Sequence, residues 1–124
     1  MNWNKAMYNF PDASQLQHLV EDTLMQVCLD PYSTQFHFER NRIMSELSVE
    51  QVEPDGTIWS YNCVAAEAGA NMLHRLVGKV VKAVATEELT LTITFENGAV
   101  LRVLSELGPY EAGHIVGEGG FIVF

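Results

Sequence analysis

The stretch Leu89–Val103, LTLTITFENGAVLRV, decides the fold class. Leu89, Leu91, Ile93 and Phe95 alternate with Thr90, Thr92 and Thr94, the period-two pattern of a strand with one buried face. Glu96-Asn97-Gly98 supplies a turn, because Asn-Gly adopts the positive φ angles that a tight hairpin requires. Ala99, Leu101 and Val103 continue the alternation on the return strand. The segment therefore predicts a β-hairpin and carries no chemistry of its own.

Working outward, the spacing of Leu16, Leu19 and Val20 predicts a short helix over about residues 13–22, with Asp12 or Ser14 as its cap. Residues 1–12 read as a lead-in ending at Phe10-Pro11-Asp12. Thr23–Asp30 and Thr34–Arg40 read as strands around a Pro31-Tyr32-Ser33 turn, and Asn41-Arg42 as a turn into one long strand, Ile43–Val52. Glu53-Pro54-Asp55-Gly56 is a turn signal before a strand at Thr57–Asn62. The alanines of Val64–Val77, with Met72, Leu73 and Leu76, favour a helix closed by Gly78. Gly69 restricts its regular part to about 71–77. Val80–Thr86 resumes strand character. Beyond the hairpin come a Gly108-Pro109 turn, a strand near Gly113–Val116, a Gly117–Gly120 turn and an apolar strand, Phe121–Phe124.

These elements predict one α+β domain over residues 1–124. Its body is an antiparallel, curved sheet or partly open β-barrel, with one or two short helices packed on it. A chain of 124 residues with 48% hydrophobic content is sufficient for one core. No run of about 18 apolar residues predicts a membrane helix, and no basic-then-apolar leader is present, so the expectation is a cytoplasmic protein away from the membrane. Cys28 and Cys63 fall short of a disulfide framework and read as buried free thiols.

The net charge of −9 disfavours nucleic acid, whose binding needs a basic face. Residues 40–86 balance acids and bases, whereas residues 87–118 set Glu87, Glu88, Glu96, Glu106, Glu111 and Glu118 against Arg102 alone. If the hairpin region gathers Glu87, Glu88, Glu96, Glu106 and Glu111 on one surface, it attracts a basic protein partner.

Motifs for catalysis and metal binding are absent from the sequence. His18, His37, His74 and His114 form no His-Glu-x-x-His arrangement, and the cysteines have no CxxC spacing. No GxSxG elbow or Walker-type glycine-lysine loop occurs, and Glu118 within Gly117–Gly120 would repel phosphate. His37-Phe38-Glu39 places an imidazole and a carboxylate on one strand face, and Glu111 and His114 flank a turn-to-strand junction. Neither pair has a nucleophile or oxyanion donor beside it in the sequence. Trp59 and Tyr61 share a strand face, which suits core packing and, if exposed, a binding site.

Four short segments carry a resemblance: Leu76-Val77-Gly78-Lys79, Phe95-Glu96-Asn97-Gly98 with the following strand, Tyr110-Glu111-Ala112, and upstream Gln35-Phe36-His37-Phe38. Together they cover under half the chain and resemble motifs of small uncharacterised bacterial proteins, some of which are similar to immunity proteins of toxin systems. That resemblance implies a non-enzymatic binding protein and transfers no catalytic residue or cofactor. The leading expectation is thus a binding module with an acidic surface. The alternatives are a self-associating protein using a sheet edge or the Phe121–Phe124 tail, and a small-molecule binder at a sheet mouth near His37, Trp59 and His114.

Overall fold

The computed structural model describes residues 9–64, 70–108 and 110–124. Among these the order is η1 (Ala13–Leu19), β1 (Leu24–Leu29), β2 (Thr34–Phe38), β3 (Asn41–Ser45), β4 (Ser48–Val52), β5 (Ile58–Asn62) and η2 (Ala70–Leu76). There follow β6 (Val81–Glu87), β7 (Thr90–Phe95), β8 (Val100–Leu104), β9 (Gly113–Gly117) and β10 (Gly120–Val123). Both η segments are 3₁₀ turns, so the expected helices exist but are short and tight. The first eight residues of the lead-in, the alanine-rich run 65–69 and Pro109 of the Gly108-Pro109 turn lie outside the described residues.

The hairpin forms as β7 and β8, with Leu91 opposite Val103 and Ile93 opposite Leu101. Its turn is wider than a two-residue loop. The Gly98 N–H donates to the Phe95 carbonyl (3.0 Å) and the Phe95 N–H to the Ala99 carbonyl (2.8 Å). Only Gly98 takes a positive φ (91°); Asn97 instead accepts the Ala99 N–H on its side-chain oxygen. A glycine bulge thus does the work expected of the Asn-Gly pair.

Among the described residues all strand pairing is antiparallel and falls into two five-stranded sheets, β1-β2-β3-β9-β10 and β5-β4-β8-β7-β6, with no closed barrel. The inner faces share one core. Phe36, Ile43 and Ile115 from the first sheet meet the cluster that holds Val49, Leu91, Ile93, Phe95, Leu101 and Val103 from the second. Leu16 and Leu19 of η1 and Leu73 and Leu76 of η2 are fully withdrawn from solvent and join it. At about 25 cal/mol per Å² of apolar surface buried, such side chains are the main stabilising term.

The segment expected as one strand, Ile43–Val52, crosses between the sheets. Ile43, Ser45, Val49 and Gln51 are buried and Leu47 packs on the core, so the inward alternation never loses phase. The hydrogen-bonding partners change at Glu46-Leu47. Before it β3 pairs β2 and β9, and after it β4 pairs β5 and β8. Glu46 N–H donates to Ala112 and Cys63 N–H to Leu47 at this corner. The expected turn at Asn41-Arg42 lies two residues earlier, at Glu39-Arg40, and Asn41 already pairs Gly117.

The sheets meet again where β1 and β6 begin, through the bridge Thr23↔Val80. Glu21 N–H donates to Val81, Val81 N–H to Asp22 and Leu24 N–H to Lys79. Glu21 takes a left-handed φ of 71° to make this stitch. The Asp22 side chain, 1% exposed, then gathers three neighbours. It accepts the Thr23 N–H (2.9 Å), the Arg40 N–H (3.1 Å to Oδ2) and the Asn41 amide (2.7 Å). Asn41 in turn accepts the Glu118 N–H (3.1 Å), which brings in the β9–β10 turn. That turn is glycine-rich because space is short: a Cβ at Gly117 would run into Asn41 and one at Gly119 into the His18 ring.

Replacing Asp22 with Ala strands two backbone donors and an amide in a buried place, so we expect a loss of about 3 kcal/mol or more in urea denaturation. Asn41→Ala should cost less in that background than in the wild type, a coupling of about 1 kcal/mol or greater in the double-mutant cycle, and what cost remains is its bond to the Glu118 N–H.

Candidate functional site

Strand register decides which of the hairpin glutamates are neighbours. Glu87 closes β6 opposite Thr90, and Thr90 in turn faces Leu104, so Glu106, two residues beyond β8, lies at the same end of the sheet. Glu88 sits in the β6–β7 turn between them, where its carbonyl accepts the Phe10 N–H (3.2 Å). All three are exposed. Glu96 is not part of this group. It follows Phe95 at the far end of β7, roughly 17 Å away at the rise of an extended chain, where its N–H donates to Val80 and where Lys79 and Lys82 also lie. Glu111 precedes β9 of the other sheet and is exposed. The five glutamates therefore do not form one surface, because a six-residue strand separates the two ends of the hairpin.

The three side chains expected around a sheet mouth, His37, Trp59 and His114, are likewise divided. His37 and His114 both point outward from the first sheet, since Phe36, Phe38, Gly113 and Ile115 on either side of them are buried. They stand on β2 and β9 with β3 between and one cross-strand row apart, His37 beside Arg42 and His114 beside Met44, so about 12 Å separates them. His37 shares a hydrogen bond with Gln35 (3.0 Å), while His114 stacks on Phe121 with ring centroids 5.1 Å apart. Trp59 belongs to the second sheet and turns toward the core, packed partly against it beside buried Tyr61. Strand phase, invisible from composition, sets it apart from the histidines.

The outward face of the first sheet does carry a groove of about 280 Å³. Gln35, Arg42, Met44 and His114 line it, with Tyr32, Ser33 and Glu46 completing its wall. Register accounts for its centre: Gln35, Met44 and His114 form one cross-strand row, and Arg42 stands one row along on β3. A shallower, more open concavity of about 500 Å³ lies at the β3–β4 corner between Glu46, Ser48, Ser60 and Asn62. Arg42 and Glu46 were not singled out in the sequence. The available signal was their spacing around Met44 on a single strand face.

Arginine pairing separates Arg42 from the others. Arg40 lies 3.8 Å from Asp22 and 3.6 Å from Glu118, and Arg102 lies 3.4 Å from Glu50. Arg75 pairs with Glu53. No carboxylate among the described residues lies within ion-pair distance of Arg42. Also among the described residues, no group of three or more His, Cys, Asp or Glu side chains could hold a metal ion, and no helix is long and apolar enough to cross a membrane.

Cys63 is buried, and that burial pushes its thiol pKa up; Cys28 is only half-buried, against the expectation for both. Glu53 accepts the Trp59 indole N–H (2.9 Å) and the Arg75 guanidinium. These two bonds, the indole's first, hold its carboxyl below the ordinary glutamate value. Tyr61, which donates to Gln51 (3.1 Å), is pushed up by burial and then by the Glu53 charge. Gln51 passes the connection to η2 through the Met72 carbonyl (3.0 Å).

Comparison with protein-family models, with curated proteins and with solved structures gives no match in any of the three.

Because the folded Glu53 pKa is depressed, its contribution to stability is fully present above the ordinary value of about 4.3 and is lost as pH falls through the lower folded value. In a Trp3→Phe background, Trp59 fluorescence should shift in that acid window before global unfolding. Glu53→Gln should abolish the shift.

Proposed function

We propose that this chain is a small binding protein that meets a basic protein partner through the acidic end of its second sheet. The observation that carries the reading is the β6–β7–β8 register, which brings exposed Glu87 and Glu106 to the same end of the sheet, with Glu88 in the turn between. Among the described residues the bases of this sheet stand elsewhere: Lys79 and Lys82 toward the opposite end, and Arg102 tied to Glu50 across β4 and β8. A net charge of −9 adds a long-range field that favours encounter with a cation-rich surface. A binding role also agrees with the resemblance to immunity-like bacterial proteins, whose work is recognition rather than turnover. On this reading the protein acts without a cofactor, and its specificity lies in charge placed on a rigid hairpin.

Immobilised protein should retain a basic partner from lysate at low salt and release it at moderate salt, as exposed charge pairs are screened beyond about 10 Å at 0.1 M. Glu87→Lys/Glu106→Lys should slow association with that partner about tenfold or more. Glu96→Lys, at the other end of the hairpin, should leave it nearly unchanged. Equal effects of the two variants, or binding indifferent to salt, would remove the acidic end from the function.

A further inference from the structure

We infer that the outward face of the first sheet is a contact surface for a second copy of this chain, held by reciprocal Arg42–Glu46 pairs around Met44. This surface lies on the other sheet from the acidic end and does not depend on the partner proposed there. Arg42, Met44 and Glu46 follow one another at every second position along β3 and its exit, and all three line the same groove. The residues that carry the cation and the anion at its two ends are exposed, and their Cα atoms stand about 13 Å apart along the strand. Among the described residues neither side chain has an ion-pair partner. Nor do they form an ion pair with each other.

An occupant must therefore offer an anion and a cation at that same spacing, in reverse order. A second β3 does so. A two-fold axis lying between facing sheets and perpendicular to β3 over Met44 reverses the strand, so that Arg42 of each copy meets Glu46 of the other. Sheets stacked face to face stand about 10 Å apart, a gap these long side chains span. Apolar surface lies ready around the pairs: Phe121 is 65% and Tyr32 78% exposed, and Val116 and Val123 are half-buried on the same face. Such side chains gain from being covered.

Magnitude sets the strength of the contact. Five strands of about five residues present a face of roughly 400 Å², about half of the ~800 Å² per partner found in stable complexes. The dimer is accordingly a weak one. The net charge of each copy opposes it at low ionic strength, so salt near 0.15 M, which shortens the screening length to about 8 Å, favours it. Salt thus acts here in the direction opposite to its effect on a basic partner.

Sedimentation equilibrium from about 1 µM to about 1 mM tests the contact. The wild type should pass from monomer to dimer within that range. Arg42→Glu and Glu46→Arg, each alone, set like charges against each other twice per dimer and should raise the dissociation constant about tenfold or more. An equimolar mixture of the two variants restores both pairs as a heterodimer, and Arg42→Glu/Glu46→Arg restores them as a homodimer. Unchanged circular dichroism confirms folding, since neither side chain is buried. A wild type that stays monomeric throughout overturns the inference. So does a dimer that the single variants leave intact or that the mixture fails to restore, which would point to the β10 edge instead.

Discussion

A single buried carboxylate, Asp22, ties together parts of the chain that the sheets alone leave separate. Its backbone carbonyl accepts from Val81 of the second sheet, while its side chain holds the Glu39-Arg40 turn and, through Asn41, the β9–β10 turn of the first. A buried carboxylate is tolerated only where donors surround it. Here the donors come from positions 23, 40 and 41, so the fold around Asp22 is specified as a unit. The left-handed backbone at Glu21 and the glycines at 117 and 119 serve the same point, since the chain segments approach too closely for other conformations or side chains.

The second constraint is the unbroken inward phase from Ile43 to Gln51. Keeping every odd residue toward the core while the ladder partners change makes the chain pass from one sheet to the other without a loop. Because the alternation is strict, the even positions are forced outward on both sides of the corner. Arg42, Met44 and Glu46 thereby come to lie on one surface of the first sheet, and Glu50 faces Arg102 on the second. The core pattern and the surface charge pattern are consequences of one periodicity.

The two surfaces with functional promise differ in physical kind. The acidic end of β6–β7–β8 is exposed charge on a turn, suited to steering and to salt-sensitive recognition. The groove over β3 combines an isolated cation, an isolated anion and apolar side chains, so its affinity comes from short-range complementarity instead. The Glu53–Trp59–Arg75 cluster, by contrast, is already satisfied by its own bonds and braces the β5 edge against η2.

Local pattern alone determined the hairpin at Leu89–Val103, the turns at Pro31–Ser33 and Glu53–Gly56, the short helices and the antiparallel α+β class, because alternation and turn chemistry act between near neighbours. The same locality explains the misreadings. Ile43–Val52 looks like one strand because its phase is continuous, and only the partners of β3 and β4 reveal the change of sheet. Glu96 appears to belong with Glu87 and Glu106, but a strand's length separates the ends of a hairpin. Trp59 is close to neither His37 nor His114, since which face a strand presents depends on the sheet it joins. Tertiary structure alone assembled the Asp22 cluster and left Arg42, four residues before Glu46 on the same face, without a carboxylate partner among the described residues, as both outcomes rest on which residues far apart in the chain come together.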